Sequence, residues 1–260
     1  MTTFKTTCGK TLFAGLGVLG IAVIVWLVRP DTPDFKAFKA GADRKQAFYS
    51  YFLPVIQQRN QAIRETRRQI REWQRDKDSI GWWDAWRIRA IAEAYRIEPF
   101  DTGSDADWDT LLRRVDTVPP SLALAQAAKE SAWGISRFAR QGNNYFGQWC
   151  FEKRCGMVPH RRDAEKSHEL AVFDSPEDSV ESYIHNLNSH DAYEPLRNIR
   201  AQLKAAQQPV IGIRLVDGLG EYSEKGSEYV EELRSMIRDN DLTSYDTEYP
   251  PRARSPKVPP

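Results

Sequence analysis

Cysteine is scarce in this chain of 260 residues, with three, and histidine is hardly commoner, with four. Those present are poorly placed for a metal. His160 and His168 follow Cys150 and Cys155 at spacings that fit no standard zinc pattern, so no metal and no cofactor is expected. Net charge is nearly absent too: 37 basic against 36 acidic side chains leave +1. A nucleic-acid binder carries a basic footprint, and none is evident here. Internal repeats are missing as well, which excludes solenoids and arrays.

Apolar residues are plentiful, at 41%, so a sizeable core can form. The chain holds 8 Trp, 10 Tyr and 11 Phe. Aromatic faces suit sugar rings, but packing in a core is their commoner use.

Leu12 to Val28 is an unbroken apolar or glycine run, LFAGLGVLGIAVIVWLV, with Lys5 and Lys10 before it and Arg29-Pro30 after it. It is just short of the roughly 20 residues of a typical membrane span. Trp26-Leu27-Val28 is too bulky for a signal-peptidase site. The expectation is an uncleaved signal-anchor helix in the cytoplasmic membrane, with the basic end inside and the domain in the periplasm. Cys8 lies on the wrong side of the run for a lipoprotein box. Cys150 and Cys155, close together in CFEKRC, are expected to form a disulfide in that oxidising compartment.

Helical periodicity dominates the remainder. Ile56, Ile63, Ile70 and Trp73 recur at helical spacing in the charged stretch from Val55 to Asp76. Its arginines would suit an acidic polymer; interleaved with Glu65 and Glu72, they suit a solvated face better. Gly81-Trp82-Trp83 interrupts the pattern, and helices follow at Trp86–Tyr95 and Trp108–Val115. Ser121 is expected to cap the alanine-rich helix that follows Pro119-Pro120. Leu170 to Phe173 reads as a strand, and Ser175-Pro176-Glu177 starts another helix. Further helices are expected near Tyr193–Ala206 and Ser227–Arg238, and a proline-rich tail closes the chain. The fold class is mainly α (α+β), with a small β-hairpin lobe.

The stretch with chemistry in it is residues 122–147, LALAQAAKESAWGISRFARQGNNYFG. In this small-residue helix the neighbours of the Glu130 carboxylate at i−4, i−3, i+3 and i+4 are Gln126, Ala127, Trp133 and Gly134. Small neighbours admit a ligand, and Trp133 supplies an apolar wall. Desolvation there raises a carboxyl pKa, as a general acid at neutral pH requires.

Glu-Ser-x-Trp-Gly on a small-residue helix, then Asn-x-Phe-Gly after a turn, resembles the signature of the family-73 glycoside hydrolases, N-acetylglucosaminidases of peptidoglycan. Within it the chain is similar to the Bax-type group, through VDTVPPSLALAQAAKESAWG, GQWCF, HELAVFDSPEDSVESYIHNLNSHDAY and YSEKGSEYVEELRSMI. The resemblance spans residues 45–240 and is strongest over 119–150. It implies a lysozyme-like α domain with a β-lobe across a cleft. Glu130 aligns with the general acid. A second carboxylate is expected in the lobe, with Glu169 preferred over Glu152 and Glu165. Tyr222 or Tyr229 would be the cleft tyrosine, Tyr145 and Phe146 would shape the cleft floor, and Asn143 and Asn144 would bind an acetamido group or make a turn. The lobe is short, and CFEKRC has no counterpart in many members.

The expected layout is a cytoplasmic end and anchor over 1–30, a spacer over 31–44, a helical region over 45–118, the catalytic domain over 119–240 and a disordered tail over 241–260. The expected activity is endo-β-N-acetylglucosaminidase on peptidoglycan glycan strands. A lytic transglycosylase or muramidase on the same fold, or a non-catalytic wall-binding scaffold, are the alternatives.

Overall fold

The computed structural model describes residues 32–150, 155–158 and 169–247. The expected anchor lies outside them; among the described residues no helix is long and apolar enough to cross a membrane.

Helix α1, Ala42–Arg75, has 34 residues. Phe48, Phe52, Ile56, Ile63, Ile70 and Trp73 recur every three, four or seven positions and form its buried stripe. Arg68, Arg71 and Arg75 stand in solvent with Glu65 and Glu72, the solvated face read from the sequence. Asn60 is the polar exception on the buried stripe. Its Nδ2 donates to Val118 O at 2.7 Å and its Oδ1 accepts from Val118 N at 3.1 Å, so it clamps the approach to the next helices. The expected spacer is partly core. Phe35 is 1% exposed and packs on the rings of Phe48 and Phe52.

Helices α2, Trp82–Ala94, and α3, Asp105–Arg114, follow. Gly81 is the N-cap of α2, so the break lies just before the tryptophans and the helix starts earlier than its apolar period suggests. After α3 comes Asp116, which is buried among Arg67, Arg200 and Lys204.

Helix α4, Pro120–Glu130, is the axis of the body, with every residue from Pro120 to Ala128 buried. Its alanines let neighbours pack closely all round. Those neighbours are α1, α8 (Gly212–Leu215), α9 (Ser227–Asp239) and α10 (Ser244–Thr247). A buried helix start needs partners for its free N–H groups. The expectation that Ser121 is the cap fails: Pro119 occupies that position, because two prolines preset the entry. Asp246 does the capping instead, accepting from Ser121 N at 2.9 Å, Ser121 Oγ at 2.6 Å and Gly212 N at 2.8 Å. Leu242 is fully buried, so the chain from Leu242 to Thr247 is integral rather than tail. The residues from 248 on lie outside the described part.

Gly212 meets α4 so closely that a Cβ there would sit 2.1 Å from Ser121 Oγ and 2.6 Å from Leu122 N. Gly212→Ala is therefore expected to lower the unfolding free energy by about 1–3 kcal/mol, the usual cost of overpacking. Urea denaturation of the two proteins measures it.

Short helix α5, Arg137–Gly142, leads into the small sheet. The sheet is three-stranded rather than a hairpin: β1 (Trp149–Cys150) and β2 (Gly156–Met157) flank β3 (Glu169–Ala171), both antiparallel to it. Cys150 and Cys155 are bonded, with Cα atoms 6.1 Å apart, tying β1 to the start of β2. Helix α6, Pro176–Ser189, begins at its Ser175 cap, and α7, Glu194–Ala205, follows. Both starts match the sequence expectation to within one residue.

Candidate active site

Glu130 is the last residue of α4. The helix stops because the chain turns left-handed at three successive residues, Ala132, Trp133 and Gly134, with φ of 50°, 60° and 78°. Only glycine fits the third. A Cβ on Gly134 would lie 2.3 Å from the Phe35 ring. Ser131 Oγ holds the turn by accepting from Gly134 N at 2.8 Å.

This turn corrects one expectation. Trp133 is no longer one helical turn from Glu130, and its ring packs against Phe48 and Tyr49 on α1, with Lys45 Nζ 5.1 Å above it. It braces the turn from behind and supplies no wall beside the carboxylate.

The surroundings of Glu130 come from α9 and from the segment after α5. Tyr229 Oη donates to Glu130 Oε1 at 2.9 Å. The same Oη accepts from Gln126 Nε2 at 3.0 Å, and Gln126 Oε1 accepts from Tyr183 Oη at 2.5 Å. On the other side, a Cβ on Gly147 would lie 3.7 Å from Glu130 Oε2. Gly147 has φ of 66° and no side chain, so no Cβ stands between that oxygen and the backbone of the segment after α5.

Burial raises the Glu130 pKa above the ordinary carboxylate value. The Tyr229 hydrogen bond and the Lys129 charge oppose this, and Glu232 adds to it. The Lys129 charge is shared: its ammonium pairs with Glu232 at 2.5 Å, and Lys225 pairs with the same carboxylate. Those two ammonium groups hold Glu232 down at about 2. Burial, reinforced by the Glu130 charge, pushes Tyr229 far up, so it stays a neutral phenol with one hydrogen to give.

The other expected site residues divide by location. Tyr222 is stacked on Tyr229, with ring centroids 5.5 Å apart, but gives its hydrogen to Phe146 O at 2.8 Å. It braces Tyr229 and the 146–147 segment rather than reaching Glu130. Phe146 is buried and stacks on Tyr183 at 3.9 Å, forming a floor below the hydrogen-bonded chain. Tyr145 is core, 4.6 Å from the Phe52 ring, because it follows the buried turn inward. Asn143 caps α5 left-handed and donates to Phe173 O and Asp174 O. Asn144 donates to Gln148 O and Ala171 O. Both amides pin the sheet to the helical body, so the turn reading replaces the acetamido one.

Glu169 is 9% exposed and accepts from Gly156 N at 2.9 Å through Oε2. It holds β2 in place, a structural task that the sequence did not reveal. Glu152 and Glu165 lie outside the described residues. Glu169 also clusters with Cys150 and Cys155 within 4.8 Å, but the sulfurs are bonded to each other and offer no thiolate to a metal. Gln126 and Tyr183 were missed as site residues. The i−4 spacing from Glu130 pointed to the first; Tyr183 showed only as part of the apolar period of α6.

A glucosaminidase family, described as mannosyl-glycoprotein endo-β-N-acetylglucosaminidase, matches residues 107–242. The chain is 36% identical over 211 residues to Protein bax of Escherichia coli K12, covering 80% of this chain and 74% of that protein. The solved catalytic domain of the autolysin Auto from Listeria monocytogenes aligns with 91% of this chain and 99% of its own length, at 15% identity and a TM-score of 0.39.

Proposed function

Since the chain belongs to the glucosaminidase family and is a glycoside hydrolase, we propose that it is an endo-β-N-acetylglucosaminidase of peptidoglycan glycan strands, with Glu130 as proton donor. The observation that carries this is the state of Glu130. Its carboxyl is half-buried and shifted up by burial, one oxygen is held by Tyr229, and the other faces the bare backbone of Gly147. A carboxyl whose acid form burial favours, with one oxygen held and the other facing a glycine, suits proton delivery to a leaving glycosidic oxygen. In the proposed step the bond from C1 to that oxygen breaks as Oε2 gives up its proton. Water supplies the hydroxyl at C1, and its remaining proton restores Glu130. In this reading the glycan passes Gly147, where the chain runs from α5 towards β1.

One observation favours a second reading. Glu169, the described candidate for activating water, is engaged by Gly156 N. A lytic transglycosylase closes a sugar hydroxyl onto C1 and needs no activated water. Digestion of purified peptidoglycan followed by mass spectrometry separates the readings. Reducing glucosamine ends support the proposal. Anhydro-muramyl ends mean a transglycosylase, and reducing muramic ends a muramidase; either overturns it.

The same proposal places the body in the periplasm, anchored by the Leu12–Val28 run. The Cys150–Cys155 bond supports an oxidising compartment. Recovery of the protein in a cytosolic fraction rather than with membranes would contradict it.

A further inference from the structure

A phenol has one hydrogen, and a primary amide has a donor end and an acceptor end. These counts give the chain behind Glu130 a direction. Tyr183 is 1% exposed, and its hydrogen goes to Gln126 Oε1. That turns the amide of Gln126, itself fully buried, so that Nε2 points at Tyr229. With its lone pair engaged by Nε2, Tyr229 directs its own hydrogen to Glu130 Oε1. Reversing the amide would send Tyr229's hydrogen to Gln126 instead, and Glu130 would lose its donor. An Oε1 that already accepts a hydrogen bond is the poorer place for a proton. When Glu130 is neutral, its hydrogen belongs on Oε2, beside Gly147.

We propose that Gln126 and Tyr183 are positioning residues that act through Tyr229 to hold the transferable proton of Glu130 on Oε2. This rests on the reading of Glu130 as proton donor. Neither residue needs to touch the glycan. Tyr183 lies on α6 and Tyr229 on α9, so the relay also makes the acid depend on where these two helices stand relative to α4.

The test is a double-mutant cycle on the full chain, read by kcat, KM and the pH profile. Tyr183→Phe is expected to lower kcat about three- to tenfold, the worth of one buried hydrogen bond, with KM unchanged. Its alkaline limb should move to higher pH, because a carboxylate that loses a donor is harder to ionise. Tyr229→Phe should shift the limb the same way. In the double variant the effect should be no larger than in Tyr229→Phe alone, because Tyr183 acts only through Tyr229. Additive losses, or a Tyr183→Phe pH profile identical to that of the unaltered protein, would overturn the relay. Gln126→Met, similar in size and without the amide, provides the second variant should Tyr183→Phe fold poorly. Tyr229 then keeps Glu130 as its acceptor but, without Nε2 on its lone pair, donates more weakly. A smaller shift in the same direction is expected, and an unchanged profile disproves the relay. Glu130→Gln separates the two levels. An active Glu130→Gln defeats the proton-donor reading, whereas an inactive one with an additive cycle defeats the relay alone.

Discussion

Replacing Glu130 by glutamine is expected to lower kcat by about 10²–10⁴-fold, the usual contribution of a positioned general acid, and to leave KM nearly unchanged. The substitution is nearly isosteric. The amide oxygen still accepts from Tyr229, and the turn held by Ser131 and Gly134 does not involve the side chain. What is lost is the acidic hydrogen on the side facing Gly147. The stability of the variant gives an independent check. Burial holds the folded-state pKa of Glu130 above its unfolded value. Such a group favours the fold below the unfolded pKa, and that contribution is lost as pH rises through the folded pKa. In neutral buffer, Glu130→Gln should therefore melt no lower than the unaltered protein. The same shift places the alkaline limb of the unaltered enzyme above the ordinary glutamate value of about 4.3. Reducing-sugar release from purified walls and a thermal melt measure the two effects. A rate within tenfold of the original would remove Glu130 from the chemistry.

The second large effect is on stability and centres on Asp116. Its carboxylate is 4% exposed and faces three cations: Arg67 at 3.7 Å, Arg200 at 3.5 Å and Lys204 at 2.6 Å. Burial alone would raise its pKa, but Arg200, Arg67 and Lys204 together hold it below the ordinary value. Arg200 is the costly partner to abandon. Its side chain is 1% exposed, and it already donates to Thr117 O, Arg113 O and Asn188 Oδ1. Asp116→Asn leaves that guanidinium buried without a counter-charge. The expected cost is roughly 3–5 kcal/mol, a large share of the about 5–15 kcal/mol that stabilises a domain. Because the folded pKa is depressed, the contribution is present above the unfolded value and lost as pH falls through the folded one. The difference between the two proteins should therefore narrow in acid. Denaturant unfolding at neutral and acidic pH measures both, and a neutral-pH difference under about 1 kcal/mol would refute the assignment.

Asp116 also shows the limit of sequence reading. Its place before Val118-Pro119-Pro120 was plain, but Arg200 and Lys204 were anonymous positions on an amphipathic helix. The start of α6 was legible because its signal, Ser175-Pro176, is local. The cap of α4 was not, because Asp246 lies 125 positions from Ser121. Trp133 misled for a different reason. The rule that i and i+3 share a face holds only while the helix continues, and here it ends at Glu130 in a left-handed turn. Asn143 and Asn144 were open between two uses, and the carbonyls of Phe173 and Ala171 decided for structure.

The sequence by itself determined the helical class, the short lobe, the cysteine pair and Glu130 as the acid worth testing. All of these rest on periodicity, spacing or a contiguous motif. Tertiary structure alone decided what surrounds that acid. Tyr183 and Tyr229 stand 57 and 103 positions from Gln126. Helical period tells that each faces inward, but not which partner it meets. Only the tertiary placement of Tyr183 on α6 and Tyr229 on α9 around the end of α4 brings a phenol hydrogen to one oxygen of Glu130 and leaves the other beside a glycine.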